Sequence, residues 1–366
     1  MRLICIWLLM IVLNNVYVVV EGNSISVLLG NGDGTFQEQK VSILGQTPSS
    51  VGVGDFNHDG RLDVAVGNNR NDHSVSILLG NGDGTFQNQT KYEVDSNVLF
   101  LVVDDFNNDN KLDIAATGGF IGGVYLLIGN GDGTFHKQST YKVGQTPSCI
   151  VVDDFNNDAQ LDLAIGNIDD NSVSILLGNG NATFKDQLVF AVGEGPFSVA
   201  AGDLNNDRKV DLTTANFHDN TISVLLGNGD GTFQPETSLN TDDLPTCVRV
   251  DDLNNDTKMD LIVTDAGHSW LGTFLGNGNG TFQKQNLFKV GSGPFSLTIG
   301  DFNHDTKLDV ATANTESNNV SVLIGNGDGT FHYQTTYETG RGPWFVTVGD
   351  FNNDDKIDLV VTNINI

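Results

Sequence analysis

The chain is poor in cysteine, in proline and in positive charge. Of 366 residues, three are Cys and seven are Pro, and 18 Lys and Arg stand against 46 Asp and Glu, for a formal net charge of −28. Nucleic acid requires a basic footprint and is therefore not an expected partner. Three Cys cannot staple a fold of this size. Cys5 lies in an apolar leader, and Cys149 and Cys247 share one position two repeats apart, too far to bridge, so both are expected as buried thiols. Catalytic signatures are missing too: there is no HExxH, GxSxG or P-loop phrase, and the seven His form no recurring pair. Only the first residues carry a long apolar run. Met1-Arg2 leads into Leu3–Leu13, and Glu21-Gly22 follows VYVVV. This predicts a signal peptide over residues 1–22 and a secreted mature chain over 23–366, with an uncleaved membrane anchor as the rival.

Repetition is what the sequence has in quantity. The phrase DFNHDGRLD from Asp55 to Asp63 returns from Asp105, Asp154, Asp203, Asp252, Asp301 and Asp350, at a step of 50 and then a constant 49. Each copy offers side-chain oxygens at positions 1, 3, 5 and 9, and position 7 adds a backbone carbonyl. The sets are Asp55, Asn57, Asp59, Arg61 and Asp63; Asp105, Asn107, Asp109, Lys111 and Asp113; Asp154, Asn156, Asp158, Gln160 and Asp162; and Asp203, Asn205, Asp207, Lys209 and Asp211. They continue with Asp252, Asn254, Asp256, Lys258 and Asp260; Asp301, Asn303, Asp305, Lys307 and Asp309; and Asp350, Asn352, Asp354, Lys356 and Asp358. An all-oxygen set suits Ca²⁺, which takes about 6–8 oxygens. It suits Mg²⁺ less, and the lack of recurring His or Cys argues against zinc. Up to seven Ca²⁺ are expected. Position 6 is a weakness: Gly60 suits a positive φ, whereas Ala159, Thr257 and Thr306 do not.

Each unit reads as four short strands without a helical period, the pattern of a propeller blade. A second phrase, GNGDGTF at Gly30, Gly80, Gly129, Gly227 and Gly325, with variants at Gly178 and Gly276, predicts a tight turn followed by a buried Phe. As a second cation site it has too few acids. Six Pro (Pro48, Pro147, Pro196, Pro245, Pro294 and Pro343) share one place, with Val98 in the second unit, and mark the start of the innermost strand. The mature chain begins and ends inside a unit, and its two partial units sum to one blade. The expected fold is therefore all-β: a seven-bladed propeller whose last blade is closed by N-terminal strands, leaving no free edge. An open stack would instead need capping units.

The loop with its flanks, Gly54-Asp55-Phe56-Asn57 through Asp63-Val64-Ala65-Val66, resembles the FG-GAP, or VCBS, repeat. That family includes the seven-bladed head of integrin α subunits and calcium-bearing lectins. The resemblance covers nearly all of residues 23–366. It implies calcium in the loop between strands one and two of a blade, an extracellular setting, and adhesion or glycan recognition. Integrins carry the loop in only some units, whereas here all seven have it, so heterodimer formation and signalling are not implied.

Cation loops and hairpins fall at one end of every blade and hardly vary. The turns at the other end vary from unit to unit, as a binding face does on a uniform scaffold. Phe120, Phe217, Trp270 and Trp344 are candidate contacts there, with packing between blades as the competing role. Asp104, Asp153 and Asp251 replace a Gly of other units and are candidates to line the central channel. A monomeric module for a glycan or an extracellular protein is expected. A carbohydrate-active lyase or hydrolase and a structural matrix component are the alternatives. Sequons at Asn88, Asn181, Asn255, Asn279 and Asn319 fit a glycoprotein.

Overall fold

The structure is a computed structural model that describes residues 23–44, 47–70, 72–119 and 122–364. Both the leader and Phe120 lie outside the described residues. Twenty-eight strands, β1 (Ser24–Leu28) to β28 (Asp358–Asn363), form seven antiparallel four-stranded sheets. The first blade shows the pattern. Innermost is β3 (Thr47–Gly54), followed outward by β4 (Asp63–Asn69), β5 (Ser74–Leu78) and β6 (Thr90–Glu93). Strands two and three are buried along their whole length, whereas the fourth is largely exposed. That gradient explains the sequence: continuous Val, Ile and Leu where both faces meet neighbouring blades, and polar alternation at the rim.

The ring closes as the split repeat requires. The last sheet runs β2 (Lys40–Ile43), β1, β28, β27 (Pro343–Gly349), with β1 and β28 paired from Ser24↔Asn363 to Leu28↔Leu359. The shared Pro stands at or next to the start of six innermost strands, with Val98 in the second blade, and the position is followed by a register shift, as between Pro48 and Ser50. Blades meet through apolar clusters that combine two neighbours, for example Ile77 of the first blade with Ile114 and Leu127 of the second. Cys149 and Cys247 are buried free thiols on different blades.

Candidate functional site

Each cation loop is organised by its own side chains. In the first, Asp55 Oδ1 and Asn57 Oδ1 both accept the Asp59 N–H, at 3.1 and 3.0 Å. Asp55 Oδ2 accepts the Gly60 N–H and Asp59 Oδ1 the Arg61 N–H. Asp63 lies at the head of β4, fully buried, and accepts the Phe56 N–H on Oδ2 and the Gly80 N–H on Oδ1. The same pattern holds in the other six loops, as at Asp211, which accepts from Leu204 and Gly227. Positions 1, 3 and 5 are thus drawn onto shared donors, and position 9 ties the loop to the hairpin of its own blade. The first glycine of the hairpin is required there: a Cβ on Gly80 would lie 2.1 Å from the Leu62 carbonyl.

The loop backbone turns left-handed twice, at positions 4 and 6. Position 6 has positive φ in all seven loops, including Ala159 (60°), Thr257 (66°) and Thr306 (66°). The residues least suited to this conformation adopt it, because three side chains of each loop, at positions 1, 3 and 5, hold the surrounding N–H groups.

The ninth carboxylates are electrostatically uncomfortable. Burial, and secondarily the Asp at positions 5 and 1, push Asp113, Asp162, Asp211, Asp260, Asp309 and Asp358 up to about 6, and Asp63 upward as well. Two backbone N–H groups oppose the shift only in part. The position-7 side chain turns back to the position-5 carboxylate in six loops, as in Lys258–Asp256 at 2.9 Å; Gln160 cannot. Among the described residues no group of three or more His, Cys, Asp or Glu forms a metal-holding array. The donor set that fits a hard cation is therefore the mixed one, with the Asn oxygen and the position-7 carbonyl added to the three Asp.

The hairpins behave as turns. Thr35 closes onto Asp33 and the Asn31 N–H donates to the Thr35 carbonyl. The Phe that follows packs edge to face on the Phe of the cation loop in the preceding blade, as in Phe36–Phe302 and Phe56–Phe135. The two Phe of the repeat thus lock one blade to the next.

At the opposite end, the candidate contacts fare differently. Trp344 stacks on Phe295 at 3.9 Å, Phe295 meets Phe197 at 5.6 Å, and Phe197 meets Phe217 at 6.0 Å. Matching positions near the starts of innermost strands thus join into one half-buried aromatic array that crosses blades. Phe217 itself is buried beneath it. Trp270 is not part of the array: its ring lies under Lys289 Nζ at 4.8 Å, on the outer strands of the fifth blade.

Two groups escaped notice in the sequence. In four blades an Asn near the end of strand two reaches two hydroxyls of strand three, in the sixth Asn314 reaches the Asn319 carboxamide oxygen and the Ser321 hydroxyl, and in all five one hydroxyl continues to a Gln or Glu; Asn167, Ser172, Ser174 and Gln187 are one such chain. The fifth blade puts Asp265 there, and Trp270 and Gly272 replace the hydroxyl residues. Asp265 is fully buried, accepts from Gln285 Nε2 at 3.1 Å on Oδ2, and has no partner in the protein for Oδ1. Burial, with Asp242 and Asp243 nearby, pushes it up to about 7. The second group is Arg249, which lines the axial cavity. Comparing the seven units position by position is the signal that finds both.

Comparison with known proteins agrees with this geometry. The FG-GAP-like repeat matches residues 14–66, 55–104, 105–165, 154–214, 204–263, 252–312 and 305–361. No curated protein matches the chain. Solved structures resemble it at low identity. An Agrocybe aegerita lectin that recognises non-reducing terminal N-acetylglucosamine is 17% identical, with a TM-score of 0.59 over 86% of this chain and 90% of that one. A periplasmic gluconolactonase of Pseudomonas aeruginosa is 14% identical, with a TM-score of 0.67 over 93% and 100%. A Lactobacillus plantarum protein is 14% identical, with a TM-score of 0.66 over 88% and 98%. At such identity these three share the fold alone. Seven matched repeats, one per blade, are decisive: the chain belongs to the FG-GAP-like repeat family.

Proposed function

We propose that this propeller is a calcium-stabilised extracellular binding module that takes a glycan or protein ligand on its variable face. The observation that carries the proposal is the aromatic array of Phe197, Phe295 and Trp344. Matching positions in the other units hold Ser49, Leu99, Ser148 and Thr246, so the scaffold does not require large rings there. Half-buried aromatics gathered on one face suit stacking on a sugar or anchoring a protein. The seven oxygen-rich loops at the other end serve as cation-held braces. A lectin among the structural neighbours favours a glycan as the first ligand class to try. The protein acts as a secreted monomer in this reading, or as one tethered by its leader.

The test is a glycan-array screen of the 23–366 chain, with and without Ca²⁺. Trp344→Ala and Phe295→Ala should each abolish a bound signal while leaving the melting temperature within a few degrees. Binding that persists in both variants would move the ligand elsewhere. The catalytic alternative needs an acid open to substrate on this face. Asp265 is perturbed but fully buried. Turnover of a polysaccharide would be the sign of a lyase or hydrolase.

A further inference from the structure

The axis of the ring holds a cavity of about 390 Å³. This is the size of a small-ligand pocket, for which ~300–1,000 Å³ is usual. One side is closed by Phe100 and Phe345, whose rings meet edge to face at 5.1 Å across the intervening first blade. From there the cavity extends along the inner strands to Asp104, next to the cation loops. Its walls combine Val, Ile, Leu and Ala residues with backbone edges and the polar residues Asp104 and Ser198. Into this mixed space comes one cationic group, Arg249 on β19 (Pro245–Asp251).

Arg249 is anomalous by the logic of the repeat. Its equivalents are Gly52, Val102, Val151, Ala200, Thr298 and Thr347. All six are small or uncharged, so neither strand pairing nor blade packing calls for a guanidinium there. The half-buried side chain donates from Nη1 to the Val248 carbonyl at 3.0 Å. Among the described residues no carboxylate lies within ion-pair distance of it, in a protein where acids outnumber bases 46 to 18. At the same end of the inner strands Asp104, Asp153 and Asp251 each use one carboxylate oxygen to accept the N–H of the next residue, and of the three Asp104 lines the cavity.

We infer that the axial cavity binds a small organic monocarboxylate, whose carboxylate pairs with Arg249 and whose apolar body lies against Val102, Val151, Ala200 and Phe345. A guanidinium presents a planar fork of donors that matches a carboxylate, and it is strongest where water is scarce. The apolar walls favour a hydrocarbon or aromatic body. The acidic rim and the overall charge of −28 select against polyanions such as nucleotides, because repulsion grows with ligand charge while only one cation compensates. This site lies on the axis, apart from the aromatic array, and does not depend on the glycan reading.

Benzoate and hexanoate are the probes, with benzyl alcohol and hexanol as uncharged counterparts, titrated calorimetrically into the 23–366 chain in saturating Ca²⁺. Saturable 1:1 binding is expected for at least one carboxylate and for neither alcohol. Arg249→Thr, which installs the residue of the sixth and seventh units, should weaken binding roughly tenfold or more without changing the melting temperature of the ligand-free protein. Arg249→Lys should recover only part of the loss, since it keeps the charge and loses the fork. No saturable binding by either carboxylate, equal binding by the alcohols, or unchanged affinity in Arg249→Thr would each overturn the inference.

Discussion

Asp265 stands where Asn68, Asn167, Asn216, Asn314 and Asn363 stand in other blades, and it lacks their hydroxyl partners. Gln285 fills the space left by Gly272: a Cβ there would lie 2.1 Å from Gln285 Nε2. A carboxyl raised to about 7 in the folded chain, against 3.8 as its ordinary value, prefers to fold protonated. Its contribution to stability is therefore complete below pH ~4 and is lost as pH rises through about 7. At pH 8 the buried, ionised group costs on the order of 4 kcal/mol. The double variant Asp265→Asn/Gly272→Ser rebuilds the Asn–Ser–Gln chain of the neighbouring blades. It should melt several degrees above the parent at pH 8, with the gain shrinking toward pH 5. The difference between the two proteins isolates this residue from the cation-loop acids, which titrate in the same direction. A gain that stayed constant with pH would mean that Asp265 is not ionising inside the fold.

The Asp-rich loop is the element that the sequence shows most plainly, and its sixth position is where residue type and backbone conformation disagree. Spacing alone places Asp55, Asn57, Asp59 and Asp63 on one loop, and the structure brings them onto shared donors. Thr306 is poorly suited to a left-handed conformation, and the loop imposes it, at φ 66°. Asp301 holds the N–H groups of Asp305 and Thr306, and this local network outweighs the preference of one side chain. A β-branched residue in that region is strained by about 1 kcal/mol or more. Thr306→Gly should therefore raise stability by roughly 0.5–1 kcal/mol, the larger entropy of unfolded glycine taking back part of the relief. Thermal melts of Thr306→Gly and, as a control, Gly60→Thr check this: the first should rise and the second fall. A fall in Thr306→Gly together with no fall in Gly60→Thr would show that the loop does not need the conformation. Features that depend on which blades become neighbours were not legible in any one unit. The array of Phe197, Phe295 and Trp344 spans three blades, and the cavity around Arg249 draws walls from more.

At the scale of the molecule, the constant period and the pairing of β1 with β28 determine the ring, because that pairing completes the seventh four-stranded blade and covers the edges of its two halves. Charge is what the ring leaves unbalanced. Seven carboxylates held near pKa 6 or moved in that direction by burial and by their own loop-mates are spaced around one end of a protein of net charge −28. Seven divalent cations would bring that figure to about −14 and relieve the repulsion within each loop. A cation bound only by the folded state stabilises it in proportion to its saturation, by roughly 1.4 kcal/mol per site at tenfold excess over Kd. Seven sites together should shift the melting temperature by on the order of 10 °C between saturating Ca²⁺ and excess EGTA. Mg²⁺ should restore little of this, since it is reluctant to give up its water. Monovalent salt should restore part of it in the chelated protein by screening the acidic end. The effect should also fade below pH ~6, where the ninth carboxylates take up protons and no longer attract the ion. Superimposable melting curves in Ca²⁺ and EGTA at pH 7.5 would remove the cation from the account and leave the Asp–N–H network as the sole brace of each loop.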